Sequence, residues 1–114
     1  MFPIFVENSR VPVILSYFSP IDIWAISLGI FVFSRGLIGP VTRQHETIHY
    51  HQWRELGFVL FPVLYVWYWL RNLLRGMDGE DAYYAIPFEE EAYDHERTPN
   101  YFEDRIKWAW LEYR

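Results

Sequence analysis

A five-residue segment near the middle of the chain carries side chains that bind and use metal ions. It is His45-Glu46-Thr47-Ile48-His49, which matches the pattern H-E-x-x-H. On a helix, residues four apart lie on one face, so both imidazoles can reach a single ion. Zinc binds such nitrogens at about 2.0–2.1 Å. The spacing therefore predicts a zinc site on His45 and His49.

Glu46 is the candidate catalytic group of this site. It is rotated by about 100° from His45 on a helix, so it would flank the ion without binding it. A carboxylate in that position can take a proton from a metal-bound water. We therefore expect Glu46 to be a general base in metal-assisted hydrolysis.

Two histidines leave a zinc site incomplete, and a third ligand must come from elsewhere. One known extension of the motif has Gly and then His where this chain has Gln52 and Glu55. Without the Gly the helix continues, which places Glu55 about 15 Å along the axis from His45. We reject Glu55 as a ligand. Gln52 lies one turn beyond His49 and either supports the site, faces a substrate, or is a plain polar helix residue.

A second acidic motif follows later, in the segment Phe88-Glu89-Glu90-Glu91-Ala92-Tyr93. It resembles the gluzincins, in which the third ligand is a Glu three residues before a small residue. The resemblance implies Glu89 as the ligand, because the small Ala92 permits close helix approach. Glu91 is a second candidate, although it points about 200° away from Glu89 on a helix. The alternative for the whole run is a solvated first turn that matches the helix dipole.

Together the two motifs resemble small gluzincin-type zincins, and in particular short bacterial proteins of uncertain function. These proteins carry H-E-x-I-H-x-x-Q, an aromatic-rich apolar helix and F-E-x-E-A-Y. The resemblance covers roughly residues 25–113 and implies a minimal zincin-like domain with zinc on His45, His49 and Glu89 and with Glu46 as the base. The chain departs from larger gluzincins at Tyr93, where several families place an Asp that partners a ligand histidine. It is also too short for a separate substrate-binding domain.

Other polar and aromatic residues near the motifs are weaker candidates. His51 is expected to face away from the metal, and His95 to lie at a solvated helix end. Asp94 is a candidate partner for a ligand imidazole. Packing is the expected role of three tyrosines, with hydrogen bonding to an oxyanion as the alternative: Tyr83, Tyr84 and Tyr93.

The elements that must position these residues divide the chain into two parts. Residues 1–40 are rich in Ile, Val and Phe and predict strands over residues 2–6, 11–17 and 25–33. Residues 41–114 predict helices. The expected fold is a single α+β domain over residues 1–114, with short N-terminal strands followed by three or four helices.

Proline and glycine mark the expected helix boundaries. A helix should begin near Val41, with Pro40 at its entry, and pause at Gly57. A second segment over residues 58–75 should follow, with a kink at Pro62. A turn covers residues 77–80, and the next helix begins at Pro87 and ends before residues 98–99. Asn100 should cap the last helix, with Glu103 as its capping-box partner.

Residues 58–70 are apolar on every face. Such a helix is typical of a protein core, of an oligomer interface or of a lipid interface. Aromatic residues followed by Arg71 and Arg75 resemble an interfacial belt. The uncharged run over residues 56–70 is shorter than the roughly 20 residues of a spanning helix. We favour a core helix over membrane contact, with a homo-oligomer as a further option.

Composition limits the function classes. The net charge of −5 argues against a nucleic-acid partner, and the absence of cysteine excludes disulfides and Cys-ligated metals. The first twenty residues do not resemble a signal peptide, which leaves a cytoplasmic or peripheral membrane location. The leading hypothesis is a zinc-dependent hydrolase, and more specifically a metallopeptidase acting on a peptide or protein.

Two other functions fit the same residues. One is a non-catalytic domain that zinc staples together and that contacts a membrane or a protein partner. The other is a carboxylate-bridged di-iron bundle, since Glu46 and His49 match one E-x-x-H half of that pattern. The second half could come only from a homodimer.

Overall fold

Three short strands form one sheet in the N-terminal part of the chain. The computed structural model describes residues 3–16, 25–28 and 30–114. The strands are β1 (Ile4–Val6), β2 (Ala25–Leu28) and β3 (Phe31–Ser34), in the order β1-β3-β2. β1 runs parallel to the central strand β3, and β2 runs antiparallel to it. β3 buries Val32 and Ser34 and exposes Phe31, the alternation of a strand covered on one face.

Two of the predicted strands differ from the structure. Val11–Ser16 forms a helix, α1, because Ser9 Oγ accepts the Val11 N–H at 3.1 Å and Pro12 fits a first helical turn. The predicted strand over residues 25–33 is two strands, β2 and β3, which pair with each other. Leu28 lies opposite Phe31, so the chain reverses between them. Phe2, Tyr17 and Gly29, at or within the predicted strands, lie outside the described residues.

A long helix, α2 (Pro40–Leu74), carries the H-E-x-x-H motif. Gly39 caps it in an extended conformation, and Pro40 occupies the first turn as predicted. Its helical geometry is interrupted at Gly57, whose φ of 84° favours glycine. We call residues 40–56 the motif segment and residues 58–74 the apolar segment. Pro62 lies within helical backbone, so the helical geometry is interrupted at Gly57, where the sequence predicts a pause.

Two shorter helices follow and return the chain to α2. α3 (Gly79–Tyr84) begins where the Asp78 side chain accepts the Asp81 N–H at 2.8 Å. α4 (Pro87–His95) begins at Pro87 as predicted and packs against α2. Its first turn contains Glu89, which is therefore held against the motif segment.

The C-terminal region differs from the single capped helix that the sequence predicts. Asn100 has a left-handed backbone and no capping hydrogen bond from its side chain. Helix α5 (Tyr101–Asp104) is short, and Trp108 turns the chain into a final 3₁₀ helix, Ala109–Tyr113. Arg105 leaves the helix because its guanidinium binds two carboxylates on other helices. These distant contacts outweigh the local capping signal.

Two apolar clusters hold the helices together. The larger has Phe61, Ile86, Phe88 and Trp110 at its centre and joins the apolar segment to α4. The smaller contains Ile48, Ala92 and Tyr101 and joins the motif segment to α4. Ala92 is fully buried, in agreement with the expectation that a small side chain allows the helices to approach. The mixed α+β class is confirmed.

Candidate metal centre

Three potential ligand atoms converge between α2 and α4. His45 and His49 are one turn apart on the motif segment, and their Nε2 atoms are separated by 3.2 Å. Glu89 Oε1 lies 3.1 Å from His45 Nε2 and 3.0 Å from His49 Nε2. All three residues are buried, and the three atoms lie within 4.8 Å of one another. The group could hold a metal ion.

Hydrogen bonds on the far side of each imidazole fix how it presents its Nε2 atom. His45 Nδ1 lies 2.8 Å from Glu96 Oε2, and His49 Nδ1 lies 2.7 Å from Gln52 Oε1. Carboxylate and amide oxygens only accept, so each Nδ1 carries the hydrogen. In the neutral ring each Nε2 then presents a lone pair to Glu89, as in a metal-binding histidine.

The orientation of Gln52 follows from its other contacts. Its Nε2 donates to Phe88 O and to Glu91 Oε1, both at 3.0 Å. Because the amide nitrogen is used there, the amide oxygen must face His49. Gln52 is fully buried, so the structure favours the prediction that it supports the site over a plain surface role.

Three acceptor atoms so close together require positive charge between them. Burial by itself lowers the pKa of both imidazoles, but hydrogen bonding to Glu89 and its charge outweigh burial and raise that pKa. Burial by itself would raise the pKa of Glu89, but the charges and hydrogen bonds of the two imidazoles outweigh burial. The pKa of Glu89 is therefore lowered. Protons on the histidines can supply the charge, and a metal ion can replace them. The donor set therefore fits a cation.

The second oxygen of Glu89 is held by a tyrosine from the apolar segment. Tyr65 OH donates to Glu89 Oε2 at 2.7 Å. Burial and the negative charge of Glu89 raise the pKa of Tyr65 well above its ordinary value. The phenol therefore stays protonated and orients the carboxylate so that Oε1 faces the histidines.

Glu46 is buried beside the cluster and is incompletely bonded. Its Oε2 atom has no hydrogen-bond partner within the described part of the chain. Burial raises the pKa of Glu46, and the charges of His49 and His45 oppose that effect only in part. A buried carboxylate with a free oxygen has a strong affinity for a proton, which suits a proton acceptor.

Glu91 is separate from the cluster, although it lies only two residues from Glu89. Its carboxylate accepts from Arg105 Nε at 2.7 Å and from Tyr101 OH at 2.8 Å. Arg105 also binds Glu55 at 2.9 Å. The structure thus places Glu89, and not Glu91, with the histidines. Glu55 is not part of the group, as expected.

The weaker candidates lie around the site in other roles. His51 contacts Phe102, with ring centroids 4.9 Å apart, and faces away as expected. His95 is half-buried and stacks on Tyr101 at 4.2 Å. Asp94 accepts a hydrogen bond from Tyr113 at 2.6 Å and orients no ligand imidazole. The three tyrosines lie side by side, and the Tyr93 ring packs 4.4 Å from that of His45.

Three residues that contact the site or its supports were not recognised from the sequence as doing so: Tyr65, Glu96 and Arg105. Glu96 follows Glu89 by seven residues, two helical turns, so helical periodicity could have indicated it. Tyr65 and Arg105 carry no such signal, because their contacts cross between elements far apart in the sequence.

Comparisons with family models, curated proteins and solved structures returned no significant match. The gluzincin-type resemblance therefore depends on the two short motifs and on the cluster that they form.

Proposed function

We propose that this protein is a zinc-dependent hydrolase, and most specifically a metallopeptidase of the gluzincin type. The observation that carries the proposal is the convergence of His45 Nε2, His49 Nε2 and Glu89 Oε1 beside the free carboxylate oxygen of Glu46. The motif resemblance supports the same assignment.

Zinc is the ion that this donor set suits best. Two imidazole nitrogens and one carboxylate oxygen form the His₂Glu set found in catalytic zinc sites, which leaves one coordination position open. A calcium or magnesium site would be built from oxygen ligands instead. His45, His49 and Glu89 would hold the ion, while Glu96, Gln52 and Tyr65 would hold the ligands in place.

Bound zinc would lower the pKa of a coordinated water to about 7 and polarise a substrate carbonyl. Glu46 Oε2 would accept the proton of the attacking water, since no other group in the described chain bonds to it. The Glu46 carboxyl would then pass that proton to the leaving amine. Burial of the cluster excludes competing water.

The decisive test is Glu46→Gln in the zinc-loaded protein. We expect zinc stoichiometry to be unchanged and peptide cleavage to fall by about 10²–10⁴-fold, the range for loss of a general base. Cleavage would be screened with a mixture of peptides, by mass spectrometry. Glu103→Gln makes the same chemical change at an exposed position and should retain full activity. Undiminished cleavage by Glu46→Gln would contradict the mechanism.

The second candidate is a structural zinc site without catalysis. The cluster directly joins α2 to α4 in a chain of 114 residues, and a domain of this size gains stability from such a link. This candidate predicts that chelation lowers the melting temperature while no peptide is cleaved. The two measurements together distinguish the candidates.

A further inference from the structure

The apolar segment leaves one side of α2 uncovered. Seven large apolar side chains are each between 45% and 86% exposed: Val59, Leu60, Val63, Val66, Trp67, Leu70 and Leu74. At about 100° per residue they occupy a single arc roughly 120° wide. We call this arc the apolar face. Exposed patches of this kind mark interaction sites in soluble proteins.

The opposite side of the same segment is committed to the protein core. Phe61 belongs to the larger cluster, Tyr65 bonds Glu89, and Asn72 donates to Ala82 O at 3.0 Å. The segment therefore cannot rotate to bury its apolar face. Within residues 3–16, 25–28 and 30–114 nothing covers the face, so a further partner is needed to remove it from water.

The chemistry of the apolar face matches a lipid surface better than a protein surface. Protein interfaces carry about one hydrogen bond per 100–200 Å². The apolar face has no polar side chain apart from the indole N–H of Trp67. By length and composition α2 is apolar enough to cross a membrane, and its most apolar stretch is only 11% buried.

The exposed charge of Arg75 lies beside the face and complements an anionic bilayer, whereas Arg71 is half-buried and lies close to Glu90. Arg71 and Arg75 follow Trp67 at intervals of four residues, which continues one ridge of the helix along the edge of the face. Arg75 is exposed, and the Arg71 guanidinium lies 4.7 Å from the centre of the Tyr68 ring. Arginines next to an aromatic and aliphatic face are typical of helices that lie among lipid phosphates.

The segment would lie on the bilayer and not cross it. Its uncharged run is shorter than the roughly 20 residues needed to span. Its inner side packs on Glu89 through Tyr65, so a crossing orientation would bring that charge into the hydrocarbon. We propose that the apolar face is an interfacial membrane anchor, which inserts into an anionic lipid surface while the inner side supports the metal centre.

The test uses the full-length protein with phosphatidylcholine vesicles that contain or lack phosphatidylglycerol, measured by flotation. We expect binding that is stronger with the anionic lipid. Val63→Asp combined with Leu70→Asp should weaken binding by at least about 100-fold, because two apolar side chains no longer insert. Leu37→Asp combined with Ile106→Asp is the matched control, at positions 76% and 62% exposed, and should bind like the wild type.

A third variant tests the charge. Arg75→Gln should weaken binding to the anionic vesicles about fivefold and leave binding to neutral vesicles unchanged. Near-ultraviolet circular dichroism would verify that each variant is folded. The proposal is overturned if the wild type binds neither vesicle or if Val63→Asp with Leu70→Asp binds as well as the wild type. A wild-type dimer that this double variant dissociates, with no vesicle binding, would show that a second copy covers the face.

Discussion

The two segments of α2 depart from the usual pattern of buried apolar and exposed polar residues, each in its own way. The motif segment buries polar side chains, including His45, Glu46 and Gln52. The apolar segment exposes Val63 and Leu70. Buried polar groups cost stability unless each finds a partner, and exposed apolar groups gain nothing from folding. The first departure produces a group that could hold a metal ion, and the second is the basis of our proposal of a membrane anchor.

The largest effect should come from removing a ligand in the motif segment. We expect His49→Ala to abolish stoichiometric zinc binding. The loss of affinity should exceed the roughly 100-fold loss that is the most expected from removing a residue that only hydrogen-bonds to a ligand. Isothermal titration calorimetry would measure it, with His51→Ala as the control. His51 is two residues away and faces Phe102. Zinc affinity equal to that of the wild type would remove His49 from the site.

Arg105→Met should give the largest loss of stability. It leaves the fully buried Glu91 without its charged partner, which costs about 3–5 kcal/mol. Chemical denaturation would measure the change in the free energy of unfolding. Arg97→Met, at an exposed arginine, should change it by no more than about 0.5 kcal/mol. Equal stability of the two variants would show that the ion pairs of Arg105 contribute little to the free energy of unfolding.

Zinc affinity should fall as the solution is acidified. The pKa of both metal-free histidines is raised, that of His49 to about 10, so His49 holds a proton at neutral pH that must leave when zinc binds. The metal-free form binds more protons, so lower pH favours it. We expect a loss of about tenfold per pH unit for each proton released. Calorimetry in buffers of different ionisation enthalpy would count those protons, and a count of zero would contradict the charge balance of the cluster.

Glu96→Gln should have a moderate effect on the metal and a small one on the fold. It weakens the hydrogen bond that orients His45, so zinc affinity should drop by about 10–100-fold. Asp94→Asn is the control, since that carboxylate bonds Tyr113 instead. Equal affinities in a chelator competition assay would show that Glu96 does not position the ligand.

The smallest effect should come from the apolar segment. Val63→Ser and Leu70→Ser should each change the free energy of unfolding by no more than about 0.5 kcal/mol, because both side chains are already exposed. Ile48→Ala in the motif segment should cost about 2–5 kcal/mol, since Ile48 is fully buried. Thermal and chemical denaturation would compare them. A large loss from Leu70→Ser would mean that the apolar face is covered within the folded protein.

Much of the site could be predicted because it depends on local geometry. The helical spacing of four residues places His45 and His49 on one face wherever that helix lies in the fold. Pro40 and Pro87 mark helix starts through their fixed φ and missing N–H, and both boundaries are observed. Gly57 interrupts α2 because its backbone adopts a positive φ.

Contacts between distant segments were decided only by the tertiary structure. Tyr65 reaches Glu89, and Arg105 joins Glu55 to Glu91, across sequence separations that carry no periodic signal. The Arg105 contacts also overrode the capping signal at Asn100 and shortened the last helix. The prediction of a strand at residues 11–17, in contrast, failed for a local reason. The helix signals at Ser9 and Pro12 were present in the sequence.

The sequence by itself determined that residues 58–70 are apolar on every face, and packing determined which side is covered. A helix that is apolar on every face has no periodicity from which its orientation can be derived. Only the positions of α3, α4 and the C-terminal 3₁₀ helix turn Phe61 and Tyr65 inward and leave Val63 and Leu70 exposed. Spacing places the two histidines together on α2, whereas the packing of neighbouring helices selects the surface that α2 presents.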